Sequence, residues 1–232
     1  MNDRQKNNTK SEKLFDAIKN NKLEELSLLL EAKADQSIKN KDGNTPIRFA
    51  ALSNKWSCVT KLAEFLDDKP SDLLSDYGSA LLLAVWNDQD PLAKLLISKG
   101  AELEERHFEV DGYNVLHTAI EKENIPIIKL LLENKANPSR TTKITTKNQE
   151  EVKPLELAIK KNQHKTVELL LKAGADQSIK NKDGYTPIRV AANQHQWDCV
   201  TKLAEDIEEE TNPLAKDYGN ALLDAIEKIN TM

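Results

Sequence analysis

Apolar residues along this chain come in short bursts separated by polar turns. Leu28-Leu29-Leu30, Leu130-Leu131-Leu132 and Leu169-Leu170-Leu171 each sit in a stretch with apolar positions at i, i+3 and i+4. That spacing is the stripe of an amphipathic helix. Turns carrying Asp and Gly precede the helical stretches: Asp42-Gly43, Asp111-Gly112 and Asp183-Gly184. The pattern predicts a short helix, a sharp turn, a Leu-rich second helix, and a closing Gly or Lys before Ala, as in Gly100-Ala101, Lys135-Ala136 and Gly174-Ala175. Seven alanines mark one place in this grammar: Ala17, Ala50, Ala84, Ala119, Ala158, Ala191 and Ala225. They stand 33 to 39 residues apart, the period of a two-helix repeat.

A longer copy overlies the short period. Ala34-Asp35-Gln36-Ser37-Ile38-Lys39-Asn40-Lys41-Asp42-Gly43 returns letter for letter at Ala175–Gly184. The match extends over blocks of about 14–85 and 155–226, through Trp56/Trp197, Cys58/Cys199 and Asp76-Tyr77-Gly78/Asp217-Tyr218-Gly219. The chain was therefore built by duplication. Residue types have local reasons. Gly43 and Gly184 stand where the turn calls for positive φ. Pro46 and Pro187 suit the first position of a helix, and the hydroxyls of Thr45 and Thr186 are expected to cap it. Gly100 and Gly174 suit left-handed helix ends.

Asp42-Gly43-Asn44-Thr45-Pro46-Ile47-Arg48-Phe49-Ala50 and its copy Asp183–Ala191 resemble the ankyrin-repeat signature, and Asp111–Ala119 keeps the signature His at His117. The resemblance covers roughly residues 11 to 229. It implies an all-α ankyrin-repeat solenoid of about seven helix-turn-helix units, the last partial, with extended hairpin loops. It also implies a concave recognition face made of hairpin tips and first helices. Arg48 and Arg189 depart from the usual His, so the Thr–His hydrogen bond of that slot is remade or lost. The third and seventh units carry Asp-Tyr-Gly in place of Thr-Pro, so their hairpins are expected to be less regular, and the fifth keeps only Pro154.

A single repeat body over residues 11–232, after a disordered leader at 1–10, is the domain organisation expected. Net charge is −5 with both signs interspersed, which argues against general binding to a nucleic-acid backbone. Cys58 and Cys199 fall in the second and sixth units, too far apart in a solenoid for a disulfide. That points to a reducing, cytoplasmic compartment. The first ten residues form neither a secretory signal nor a membrane span.

Insertions are expected at about 103–111 and 139–152. The second, with Thr141-Thr142-Lys143-Ile144-Thr145-Thr146, reads as a β-hairpin finger. It is either a binding element or a tolerated surface loop. In the last unit Asp224 and Glu227 stand where the copy has Leu83 and Trp86, which reads as a C-terminal cap.

Candidate chemistry is sparse. His117 reads as structural, His164 as a surface residue. His195 and Cys199 lie four apart, but the copy has Asn54 and Cys58, so no pair of ligands recurs. No phosphate loop, His-Glu-x-x-His, Cys-x-x-Cys or Gly-x-Ser-x-Gly occurs. Neither a cofactor nor a metal is expected, and the chain reads as no enzyme. An unrecognised site near His107 is the remote exception.

A partner is expected to be another protein, met by a monomer. Positions two places after the alanines give Leu52, Trp86, Glu121, Lys160, Asn193 and Glu227. Positions two before the Pro slot include Tyr113 and Tyr185, both expected exposed. Trp86 and Tyr113 make an aromatic hot spot in this reading, with Leu52, Glu121, Tyr185, His107 and Phe108 beside them; the alternative for Trp86 is packing against the next helix. Trp56 and Trp197 are expected to pack between repeats. A second reading, from Lys/Asn richness and the recent-looking duplication, is a bacterial effector. It would reach a host cytosol without a cleavable signal peptide and bind a host protein.

Overall fold

A computed structural model describes residues 12–65, 73–105, 112–143, 151–205, 219–220 and 223. The chain divides into two compact units, Met1–Val110 and Asp111–Met232. The first contains α1 (12–19), α2 (Leu23–Glu31), α3 (Pro46–Leu52), α4 (Trp56–Glu64), α5 (Leu74–Trp86) and α6 (Asp90–Ser98). The second contains α7 (Val115–Glu121), α8 (Ile125–Glu133), β1 (Thr142–Lys143), β2 (Glu151–Val152), α9 (Pro154–Lys160), α10 (His164–Lys172), α11 (Pro187–Asn193) and α12 (Trp197–Glu205). Residues 219, 220 and 223 are also helical.

Each unit is two layers of helices. In the first unit α3 packs on α5, and α2, α4 and α6 pack in series behind them. The second unit repeats this with α7, α9 and α11 in one layer and α8, α10 and α12 in the other. The aligned alanines explain the close approach: Ala17, Ala50, Ala84, Ala119, Ala158 and Ala191 are all fully buried. Around them lie Leu14, Ile18, Ile47, Leu62, Leu116 and Ile127, which supply the apolar burial that drives stacking.

Helix joints use the left-handed region. Asn21, Asn54, Asp88, Glu123, Asn162 and His195 each hold φ between 53° and 58° at the turn between paired helices. Asn and Asp tolerate that region better than most residues. Second helices end on left-handed Lys33, Gly100, Lys135 and Gly174, as the sequence predicts for the two glycines. His195 therefore precedes α12 in a turn and does not share a helix with Cys199.

Gly43 and Gly184 adopt φ of 78° and 79°. The loops around them are tied by an Asn: Asn40 Oδ1 accepts from the amides of Asp42 and Asn44, and Asn181 does the same for Asp183 and Tyr185. The expected finger has an antiparallel base, Thr142 opposite Val152 and Lys143 opposite Glu151. Its tip lies outside the described residues, as do the leader, residues 106–111, and the positions proposed as a C-terminal cap.

Two expectations are corrected. Asp76-Tyr77-Gly78 forms no hairpin, because it lies inside the thirteen-residue α5. Tyr77 is buried there and its hydroxyl donates to the Leu62 carbonyl at 3.2 Å. A Cβ at Gly78 would stand 2.5 Å from the Glu102 carbonyl oxygen, so this glycine admits the following turn. The hydroxyls of Thr45 and Thr186 do not cap α3 and α11. Both oxygens are buried and have no hydrogen-bond partner.

Candidate functional site

First-helix ends carry the positions that the repeat grammar selects. Leu52 and Trp86 are the last residues of α3 and α5 in the first unit, and both are half-buried. Glu121, Lys160 and Asn193 are the last residues of α7, α9 and α11 in the second unit, two of them half-buried and Lys160 exposed. Glu121 is tied to Lys161 at 2.6 Å, and Lys160 to Glu156 at 3.0 Å. The register puts one residue of each repeat at the same structural place, so each unit carries a row of varied side chains on a constant scaffold.

Tyr185 leads into α11 from the hairpin loop. It is half-buried, and the Arg189 guanidinium lies 4.6 Å from its ring centre. Arg48, at the same place in the other copy, pairs instead with Asp76 at 3.6 Å. Both arginines have thus turned away from the hydrogen bond that a His would make to the Thr hydroxyl, which leaves Thr45 and Thr186 unpartnered.

Tyr113 differs from the expectation. It is only 8 % exposed, and its ring stacks on His117 at 5.6 Å with an interplanar angle of 19°. His117 is itself fully buried. Its Nδ1 lies 2.6 Å from Asn114 Oδ1 and its Nε2 3.1 Å from the Val152 carbonyl oxygen. Asn114 Oδ1 also accepts the His117 amide and so caps α7. Tyr113, His117 and Asn114 form a structural knot that fastens β2 to α7. The sequence shows the His but not its second partner, which comes from across the insertion. Trp86 belongs to the first unit and Tyr113 to the second. His107 and Phe108 lie outside the described residues.

The thiols are structural too. Cys58 donates to Asn21 Oδ1 at 3.4 Å and Cys199 to Asn162 Oδ1 at 3.8 Å, so each thiol touches a left-handed turn Asn of the preceding repeat. Burial pushes both thiols up, Cys199 to about 11 with help from the Asp198 charge. A protonated thiol is a poor nucleophile. Trp56 is half-buried, but Trp197 is 39 % exposed with its ring edge-on to His195 of its own repeat, so the packing expected between repeats is not met at Trp197. Among the described residues no three His, Cys, Asp or Glu side chains gather as metal ligands, and no helix is long and apolar enough to cross a membrane.

A cleft opens in the second unit between the fifth and sixth helix pairs, beneath Tyr185. Leu155, Ile179, Pro187 and Val190 give its apolar wall, and Glu156 and Asp176 stand at its edge. Sequence reasoning missed it, because it depends on what two separate repeats place opposite one another.

Comparison with known proteins agrees with this construction. A family model described as ankyrin repeats in three copies matches residues 14–107, 81–181 and 155–230. The human NF-kappa-B inhibitor epsilon is 28 % identical over 147 residues, 60 % of this chain and 29 % of that protein. A putative ankyrin repeat protein of Acanthamoeba polyphaga mimivirus is 27 % identical over 256 residues, 91 % of this chain and 32 % of that one. The chain thus spans under a third of either relative. Among solved structures, an ankyrin repeat domain from Acinetobacter baumannii superposes with a TM-score of 0.66 at 22 % identity, covering 83 % of this chain and 96 % of that one. The ankyrin repeat domain of Bcl-3 gives 0.62 at 22 % identity, covering 85 % and 87 %.

Proposed function

The chain belongs to the ankyrin-repeat family, and on that premise we propose that it is a non-catalytic module that binds another protein along its first-helix ends and hairpin loops. Ankyrin repeats are a protein–protein interaction fold. The observation that carries the reading is the row itself. Successive first helices share a fully buried alanine, yet two places later they end on Leu52 and Trp86 in one unit and Glu121, Lys160 and Asn193 in the other. A constant interior with a varied, preformed edge suits recognition, because little conformational freedom is lost on docking. The buried, unpaired cysteines fit a reducing compartment.

The test is comparative capture. Wild-type chain, a Leu52→Ala/Trp86→Ala variant, a Glu121→Ala/Tyr185→Ala variant and a Lys94→Ala/Lys129→Ala variant of the second helices are used as bait under identical conditions. A protein held by wild type and by the last variant, but lost from either of the first two at unchanged helical content, supports the reading. Equal retention by all four removes it.

A further inference from the structure

Tyr113-Asn114-Val115-Leu116-His117 and Tyr185-Thr186-Pro187-Ile188-Arg189 occupy the same five places of the repeat. In the second of these, Arg189 is a permanent cation lying 4.6 Å from the Tyr185 ring centre. In the first, His117 holds the same place over Tyr113, with ring centres 5.6 Å apart and planes 19° from parallel. An aromatic face within about 6 Å attracts a positive charge. The place thus takes a cation in one repeat, and in the other a side chain that becomes one by taking up a proton. Arg48 fills the same place a third time and pairs with Asp76.

What faces the His117 ring decides its charge. Nδ1 lies 2.6 Å from Asn114 Oδ1, and Nε2 lies 3.1 Å from the Val152 carbonyl oxygen. Asn114 Oδ1 also accepts the His117 amide at 3.1 Å, a fixed donor, so the atom turned to Nδ1 is the oxygen and not the amide nitrogen. Both ring nitrogens therefore meet acceptors. A neutral imidazole has one proton to give, and its bare nitrogen would set a lone pair against a lone pair. A hydroxyl, as Thr45 and Thr186 carry in the slot of Asn114, can donate to a bare Nδ1; an amide oxygen cannot. The contact length agrees. Neutral N–H···O bonds lie near about 2.9–3.0 Å and charge-assisted ones near about 2.7–2.9 Å, and 2.6 Å falls on the charged side. Full burial of His117 opposes the charge, while two acceptors and a ring face take the place of the lost water. Charges on the elements packed around it are engaged elsewhere or meet solvent. Glu121 of α7 pairs with Lys161, Lys129 of α8 with Glu133, and Glu156 of α9 with Lys160. Lys153 turns to the Lys180 carbonyl, and Glu151 on β2 is exposed.

We propose that His117 is an imidazolium in the folded chain and that its second proton is a pH-dependent fastener of the finger base. Charged, the ring donates to Asn114 at the start of α7 and to Val152 on β2, which ties the strand closing the finger to the first helix of the preceding repeat. The unfolded chain, with an ordinary His, releases that proton at about pH 6.5. The fastening is complete below that pH, and it is lost as pH rises through the value at which the folded ring lets its second proton go.

The test is a long-range proton–nitrogen NMR spectrum of the histidine rings in the isotope-labelled full chain, at about pH 7.5, a unit above the ordinary value. His117 is expected to carry protons on both ring nitrogens there, while the exposed His195 carries one. On raising the pH further, the Val152 carbonyl carbon shift is expected to move together with the His117 ring. Asn114→Thr puts back the hydroxyl of the other slots. It is expected to leave a single ring proton, on Nε2, at the same pH and to flatten the Val152 titration. A wild-type ring with one proton, on Nε2, under these conditions would overturn the proposal and would mean that the Asn114 amide is turned round; that result needs no variant to fold. An Asn114→Thr ring that stays doubly protonated would overturn it as well, since the charge would then owe nothing to the amide oxygen.

Discussion

A hydroxyl that finds no partner is a sharper sign of history than one that does. Thr45 and Thr186 sit where a signature His would share a hydrogen bond with their hydroxyls, and the arginines that replaced it look elsewhere, Arg48 to Asp76 and Arg189 to Tyr185. An unpartnered buried hydroxyl costs more than a methyl of equal shape. Thr45→Val should therefore raise stability by about 1 kcal/mol, read from denaturant midpoints; a loss of that size would show that the hydroxyl has a partner after all. His117→Ala should cost about 2–4 kcal/mol, since it opens a cavity and strips the Val152 carbonyl of its contact. The structural role of His117 was legible from its place in the signature. The missing Thr caps were not, because capping depends on which way a hydroxyl rotates once its neighbour is gone. The thiols give a pH prediction. Their folded values lie above the ordinary 9.0, so above that pH the unfolded chain loses protons first and stability falls. For Cys199 the fall spans pH 9 to about 11 and then levels. Cys199→Ala should remove part of the slope in alkaline denaturation; an unchanged slope would contradict the burial argument.

Helix pairs were readable as elements because the i, i+3, i+4 stripe, Pro at the first turn and a left-handed residue at the end all agree. The Asp-Tyr-Gly segment was misread as a hairpin because Gly usually punctuates. Here it serves close approach instead. Helix α5 is buried along most of its length, and Gly78 lies against the Glu102 carbonyl. Gly219, its copy, meets nothing within 4 Å. The two should thus respond oppositely to one substitution. Gly78→Ala should destabilise by about 1–3 kcal/mol through overpacking. Gly219→Ala should be neutral or gain about 0.5–1 kcal/mol from helix propensity. Thermal unfolding of the paired variants checks this, and equal effects would refute the assigned packing. The finger base was legible from its Thr run; its link to His117 was not.

For the molecule as a whole, duplication is the feature the letters display most plainly, and divergence between the copies is where function is sought. Leu157, Gln163 and Thr166 are buried in the fifth pair, Gln163 donating to the Ile120 carbonyl at 2.9 Å. Their counterparts in the first pair are Asp16, Lys22 and Glu25, and the last two bridge at 3.1 Å in solvent. The same framework thus buries a polar network in one copy and wets a charged face in the other. By the same token Phe15 and Phe49, edge to face at 5.7 Å in the first copy, are Glu156 and Val190 in the second. Copying was visible in sequence; which side chains meet across two repeats was not.

The most direct test of the account is hydrogen–deuterium exchange of the full chain with and without its captured partner. The account predicts slowed exchange in the loop and first helix around 181–193 and at the ends of α3, α5, α7 or α9. Protection confined to the second helices α4, α6, α8, α10 or α12 would contradict it.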